Sequence, residues 1–263
     1  MVSLILFSVC LLASTAGAIV GIGGGVIIKP VVDLLGILPV PTVSFCSGCT
    51  VLCMACASLL RNRRDGIKLQ FKISTALAIG AVGGGLLEKW LFDLLRSSFK
   101  SDNTLGAIQS VCLMLITLGV FLYICRKGNL QGQHIIDNTG LTIGIGAVLG
   151  IISSFLGIGG GPCNIAVLSF FFSMDAKTAA KNSLYIIIFS QVSSIFSAFL
   201  SNSIPAFQLV FLLCMVAGGV GGALMGAAIS KRIDNKGVES IFKMMLLLIA
   251  LTCLCNTIKF LIN

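Results

Sequence analysis

A helix crosses the hydrocarbon core of a bilayer, about 30 Å thick, only where roughly 20 consecutive residues are apolar. This chain supplies such charge-free runs along its whole length, at 2–20, 41–60, 73–87, 105–125, 141–156, 182–200, 207–230 and 244–258. Two shorter runs, 26–38 and 162–173, each follow a glycine cluster and are too short to cross alone. Long continuous apolar runs, in place of short alternating segments, favour a helical bundle over a β-barrel and predict an all-α polytopic membrane protein.

Composition carries the same message. Only 10% of the 263 residues are charged and 57% are apolar, and the mean hydropathy is +1.07. Soluble domains carry about 25% charged residues. The net charge of +9 would suit a nucleic acid if it were gathered on a polar face, but the charges fall between apolar runs. No nucleic-acid partner is expected; the bilayer is the solvent. The run ending in Ala16-Gly17-Ala18 has the look of a cleavable signal, yet no basic residue precedes it, and it is read as a retained span.

The chain also repeats itself. Gly21-Ile22-Gly23-Gly24-Gly25 returns as Gly157-Ile158-Gly159-Gly160-Gly161, and Gly80-Ala81-Val82-Gly83-Gly84 is echoed by Gly218-Gly219-Val220-Gly221-Gly222 at nearly the same separation. Two paired motifs in one order indicate a duplication, with residues 1–128 and 129–263 as its copies.

Basic residues in short loops mark the cytoplasmic side. Loop 61–72 holds Arg61, Arg63, Arg64, Lys68 and Lys72 against Asp65, whereas its counterpart 201–206 is uncharged. Residues 88–102 are balanced, whereas their counterpart 231–243 holds Lys231, Arg232, Lys236 and Lys243 against Asp234 and Glu239. Equivalent loops thus face opposite sides, with 61–72 and 231–243 cytoplasmic. The expectation is two inverted repeats, each a glycine-broken helical hairpin plus three transmembrane helices, or about eight full spans and two short helices. Eight spans in two parallel repeats is the competing arrangement, and it leaves the charge reversal unexplained.

A glycine break inside a membrane exposes backbone groups that must face a cavity or protein. Pro162, a favoured first residue of a helix, follows Gly159, Gly160 and Gly161. Free N–H groups and the positive end of the helix dipole would make this tip an anion site. Gly23, Gly24 and Gly25 build its partner, and the two tips would hold one small anion between them. Polar neighbours expected there are Cys163, Asn164, Asn182 and Ser183, with Cys46 and Ser47 as the repeat equivalents of the last two. Each of these could instead cap a helix or bond across helices. Gly80, Gly84, Gly218 and Gly222 have the spacing of helix-packing residues. Lys29 is a cation inside an apolar run, either lining the anion cavity or pairing with Asp33 one turn on.

Cys46, Cys49, Cys53 and Cys56 form a stripe along one helix face. Four thiols stacked on one helix cannot converge on one ion, so the stripe reads as a packing seam, or as part of the pathway meeting a soft solute. The alternative function is a membrane thiol protein that handles a soft metal or redox equivalents through it. His134 lies in the polar connector 126–140. Hydrolase, Walker and dinucleotide motifs are absent, so neither an enzyme nor a cofactor is expected.

Two GIGGG motifs, one near the start of each half, with Pro162 after the second, resemble the sulfite exporter TauE/SafE family, also called the toluene sulfonate uptake permease family. That resemblance covers the whole chain. It implies a secondary transporter in the cytoplasmic membrane for small sulfur-containing anions such as sulfite, thiosulfate or organosulfonates. Proton and sodium are the two candidate coupling ions, and nothing in the residues chooses between them. The chain departs from the family pattern at Lys29-Pro30 and in the cysteine-rich helix 43–60.

Overall fold

The computed structural model describes residues 2–62, 67, 69–96, 102–126, 138–156 and 158–262, and the side chains in those ranges except 88–96, 102–105 and 261. These residues form ten helices: α1 (Val2–Val20), α2 (Gly25–Leu35), α3 (Val40–Arg61), α4 (Phe71–Arg96), α5 (Asp102–Arg126), α6 (Thr139–Leu156), α7 (Gly161–Phe171), α8 (Ala176–Leu200), α9 (Leu209–Ser230) and α10 (Asn235–Ile262). Among the described residues, seven helices are long and apolar enough to cross a membrane, and α4 adds the apolar stretch Phe71–Leu87. The chain is a multi-pass membrane protein. Helices α2 and α7 have 11 residues each. At about 1.5 Å per residue they reach roughly half way through the hydrocarbon core.

Polarity is distributed as lipid demands. Leu4, Leu12, Leu60, Leu115, Phe199 and Met244 are exposed on the outside, while Ser14, Ser47, Thr50, Ser74, Asn182 and Ser183 are fully buried. A soluble protein inverts that arrangement. With no hydrophobic drive between helices in lipid, close backbone approach holds the bundle. Gly218, Gly222 and Gly226 of α9 face the carbonyls of Phe7, Leu11 and Thr15 on α1, in parallel. Gly146 and Gly150 of α6 likewise face Leu77 and Ala81 on α4, and Gly80 and Gly84 return against Ile143 and Ala147. Any Cβ at these glycines would strike backbone.

Helix α5 lies on α10, and α3 on α8. The first helix of each half therefore packs on the fourth of the other, and exchanging α1–α5 for α6–α10 leaves this pattern unchanged. Two charged stretches expected as loops are partly helical. Glu88–Arg96 ends α4. Residues 235–243 begin α10, where Asp234 Oδ1 accepts from Gly237 N at 2.8 Å and Lys243 pairs with Glu239 at 2.9 Å. A capping aspartate and an i,i+4 pair extend the helix beyond its apolar window. His134, Arg63, Arg64, Asp65 and Lys68 lie outside the described residues.

Candidate functional site

Each hairpin turns on glycines in the left-handed region, Gly21 (φ +80) and Gly23 (φ +72) in the first, Gly159 (φ +77) and Gly160 (φ +72) in the second. Only glycine adopts such angles without strain. The turns bring the two tips into contact. The Cα of Gly161 faces the Ile22 carbonyl so closely that a Cβ would overlap it, and a Cβ on Gly25 would lie 3.2 Å from the Ile158 oxygen. Ile22 and Ile158, like Gly25 and Gly161, are the same positions in the two copies.

Two antiparallel helices cross behind the tips. Val51 of α3 and Ile187 of α8, again repeat equivalents, stand against both Gly23 and Gly159, 3.4–3.5 Å from where their Cβ atoms would be. The first turns of α2 and α7 begin at the tips, and N–H groups there have no intrahelical partner. One is taken up by sulfur, since Gly24 N donates to Met54 Sδ at 3.0 Å.

The expected site residues separate into two groups. Gly23, Gly24, Gly25, Gly159, Gly160 and Gly161 form the tips. Ser47 Oγ is 3.3 Å from the Cβ position of Gly25, and Asn164 Oδ1 is 3.3 Å from that of Gly160. Ser47 and Ser183 are fully buried, and neither hydroxyl has a hydrogen-bond partner. Cys46 and Cys163 are buried in the apolar core. Asn182 is engaged elsewhere. Its Oδ1 accepts from Gln70 N (2.9 Å) and Ser74 Oγ (2.6 Å), and its Nδ2 donates to Thr178 O (2.7 Å), tying the start of α4 to α8. Lys29 Nζ donates to Leu156 O (2.9 Å) at the end of α6 and to Gln109 Oε1 (2.7 Å) on α5.

Two residues at the tips carry no sequence motif. Gln191 places Nε2 3.0 Å from the Cβ position of Gly159 and Oε1 2.9 Å from that of Gly48. Ser14 Oγ, buried and without a partner, is 2.7 Å from the Cβ position of Gly24. The repeat could have pointed to Gln191, which occupies the register of Ala55, but only as a position. Ser14 sits in a small-residue run that gives no signal.

A cavity opens at each end of the α3–α8 pair. One, of about 240 Å³, is lined by Asn62, Lys177, Lys181, Leu184, Ser230 and Lys231, among others. Lys181 Nζ donates to the Asn62 and Ile67 carbonyls, both at 2.8 Å, and Lys231 Nζ to the Arg61 carbonyl at 3.4 Å. The other, of about 180 Å³, is lined by Ser44, Gly48, Ser153, Gln191, Ser194 and Ser203 among others, and none of its lining among the described residues is charged. Helix α3 starts at the serine cavity and ends at the basic one, and α8 runs the other way. Likewise α1 ends at the basic cavity with Ala18 and Ile19, and α6 at the serine cavity with Ser153 and Ser154.

All eleven cysteines are free, with Cys46 buried and Cys49, Cys53 and Cys56 half-buried. Among the described residues no three His, Cys, Asp or Glu side chains converge as a metal site would need.

Lipid-facing helices around two opposed half-helices, with a cavity at either end, define a membrane transporter that moves a small solute. The chain belongs to the sulfite exporter TauE/SafE family, whose model matches residues 6–253. It is similar to the probable membrane transporter protein YunE of Bacillus subtilis (strain 168), 24% identical over 260 residues covering 91% of this chain and 92% of that one. No solved structure matches.

Proposed function

We propose that this transporter carries small sulfur-containing anions, such as sulfite, thiosulfate or organosulfonates, across the cell membrane by alternating access around the glycine tips. The observation that carries the reading is the pair Ser47 and Ser183. They are repeat equivalents, fully buried on the helices behind the tips, and their hydroxyls have no partner. A buried hydroxyl without a partner costs about 1–3 kcal/mol, so a bound oxyanion that accepts from it recovers that cost. The start of a half-helix adds N–H donors and a positive dipole end.

Residues 1–128 and 129–263 act in this reading as inverted repeats, one rocking against the other. The antiparallel courses of α1 and α6, and of α3 and α8, support it. The basic cavity faces the cytoplasm, following the lysine and arginine bias. Purified protein in liposomes is expected to take up labelled sulfite, thiosulfate or methanesulfonate saturably, and Gly160→Val to abolish binding. Absence of binding across that panel would overturn the proposal.

A further inference from the structure

We propose that Gln191 seats the solute: its amide meets the anion's oxygen atoms at the second glycine tip, which is entered from the serine cavity, and the first tip has no matching seat. The inference rests on the anion reading of the tips.

Gln191 lies on α8 and is 5% exposed. Its Nε2 stands over Gly159 and its Oε1 over Gly48 of α3, 3.0 and 2.9 Å from where their Cβ atoms would be. A Cβ on either glycine would crowd the amide. Among the described residues none hydrogen-bonds to it, although a polar group at this depth ordinarily finds a partner. Ser153, 4% exposed, places its Oγ 3.0 Å from the Cβ position of Gly160. Both side chains line the serine cavity, so the second tip forms part of its inner wall. At about 180 Å³ that cavity is several times the roughly 30 Å³ a water takes up in the liquid. None of its described lining is charged. An anion there is held by N–H and O–H dipoles, and hydrogen bonds to a charged acceptor are about twice as strong as those between neutral groups.

The first copy is built differently at the same positions. Ala55 stands in the register of Gln191, and Gly17 in that of Ser153. Gly17 packs on the tip backbone itself, with its Cβ position 2.8 Å from Gly23 C and from Gly24 N. Met54 then closes the tip by accepting from Gly24 N. In the second copy the register of Met54 is held by Ser190, whose hydroxyl donates to Ile187 O of its own helix at 3.2 Å. The basic cavity meets the first hairpin through Ala18, Ile19 and Ala180, the last packed on Gly21, and none of these side chains is a donor. Duplication gives two tips of one backbone shape, and the side chains around them make a seat of the second.

The full chain in detergent is titrated by calorimetry with methanesulfonate and thiosulfate, which stay ionised throughout. The wild type is expected to bind one anion per chain. Gln191→Met keeps the length and loses the amide, and should bind roughly ten- to a hundredfold more weakly, the worth of one hydrogen bond to a charged group. Gly48→Ala displaces only the flexible end of Gln191 and should weaken binding several-fold. Gln191→Glu should bind at least about tenfold more weakly than the wild type at about pH 8 and recover toward about pH 5, as its carboxyl gains the proton that lets it donate. A glutamine with a purely structural role would not yield that pH profile. Met54→Leu, at the first tip, should bind as the wild type does. Where the Gln191 variants do not fold, Gly48→Ala decides. Wild-type affinity in Gln191→Met or, failing that variant, in Gly48→Ala overturns the seat and leaves the anion reading standing. Two anions per wild-type chain, or loss of binding in folded Met54→Leu, does the same. Failure of the wild type to bind either probe overturns the seat together with the anion reading beneath it.

Discussion

The hydroxyls of Ser47 and Ser183 set a test that separates ligand binding from structure. A buried donor that is already unpaired adds no stability to the empty fold and carries a desolvation cost there. Ser47→Ala and Ser183→Ala are therefore expected to leave the thermal midpoint unchanged or higher. Each should weaken anion binding roughly five- to tenfold, the worth of about 1 kcal/mol. Calorimetry beside a thermal-shift scan checks both at once. Glycines give a second contrast. Gly161→Ala drives a methyl group into the Ile22 backbone, whereas Gly83 has nothing within 4 Å of its Cβ position. The first substitution should cost several kcal/mol, on the order of an overpacked core, and the second should stabilise α4 by about 0.5–1 kcal/mol. Size-exclusion profiles after graded heating read the difference. At this scale the glycine tips were legible because the motif occurs twice and breaks an apolar run. Gln191 and Ser14 were not, because their importance comes from which glycine stands opposite, and no local pattern encodes that.

At the scale of elements, hydrophobic runs marked the helices and misjudged their polar ends. Runs report where lipid begins, and helices continue beyond that point when caps and ion pairs support them, as Asp234 and the Glu239–Lys243 pair do for α10. The same distinction explains Asn182. As the expected opening of the helix after the second tip it was placed near the ligand, but α8 begins at Ala176, and the side chain receives the first residues of α4. Asn182→Ala removes three hydrogen bonds, at a cost of about 2–3 kcal/mol if each contributes about 1. Anion affinity in the folded fraction should stay at the wild-type value. A fall in affinity without loss of stability would place Asn182 in the pathway after all.

For the whole molecule, the anion reading predicts different kinetics at the two ends, because the cavities are unequally charged. A basic mouth concentrates anions and accelerates their arrival, and salt screens the effect. Lys177→Gln with Lys231→Gln should slow anion association from the basic end several-fold at low salt and flatten its salt dependence. Association from the serine cavity should be unaffected. Inside-out and right-side-out vesicles, assayed separately, distinguish the ends.

The contact between the two tips also has a consequence for how the chain is made. The Ile22 carbonyl lies on Gly161, so the first hairpin has no complete environment until the ribosome has delivered the second. Its opened backbone, costly in lipid alone, must wait in water or beside a helper through the synthesis of four further helices. A ribosome stalled before Gly161 would hold a nascent chain whose first tip is still accessible to a water-soluble reagent, placed through a cysteine introduced at Ile22. Release of the full chain should close that access. Assembly of this transporter is thus committed late, by the arrival of its second glycine cluster.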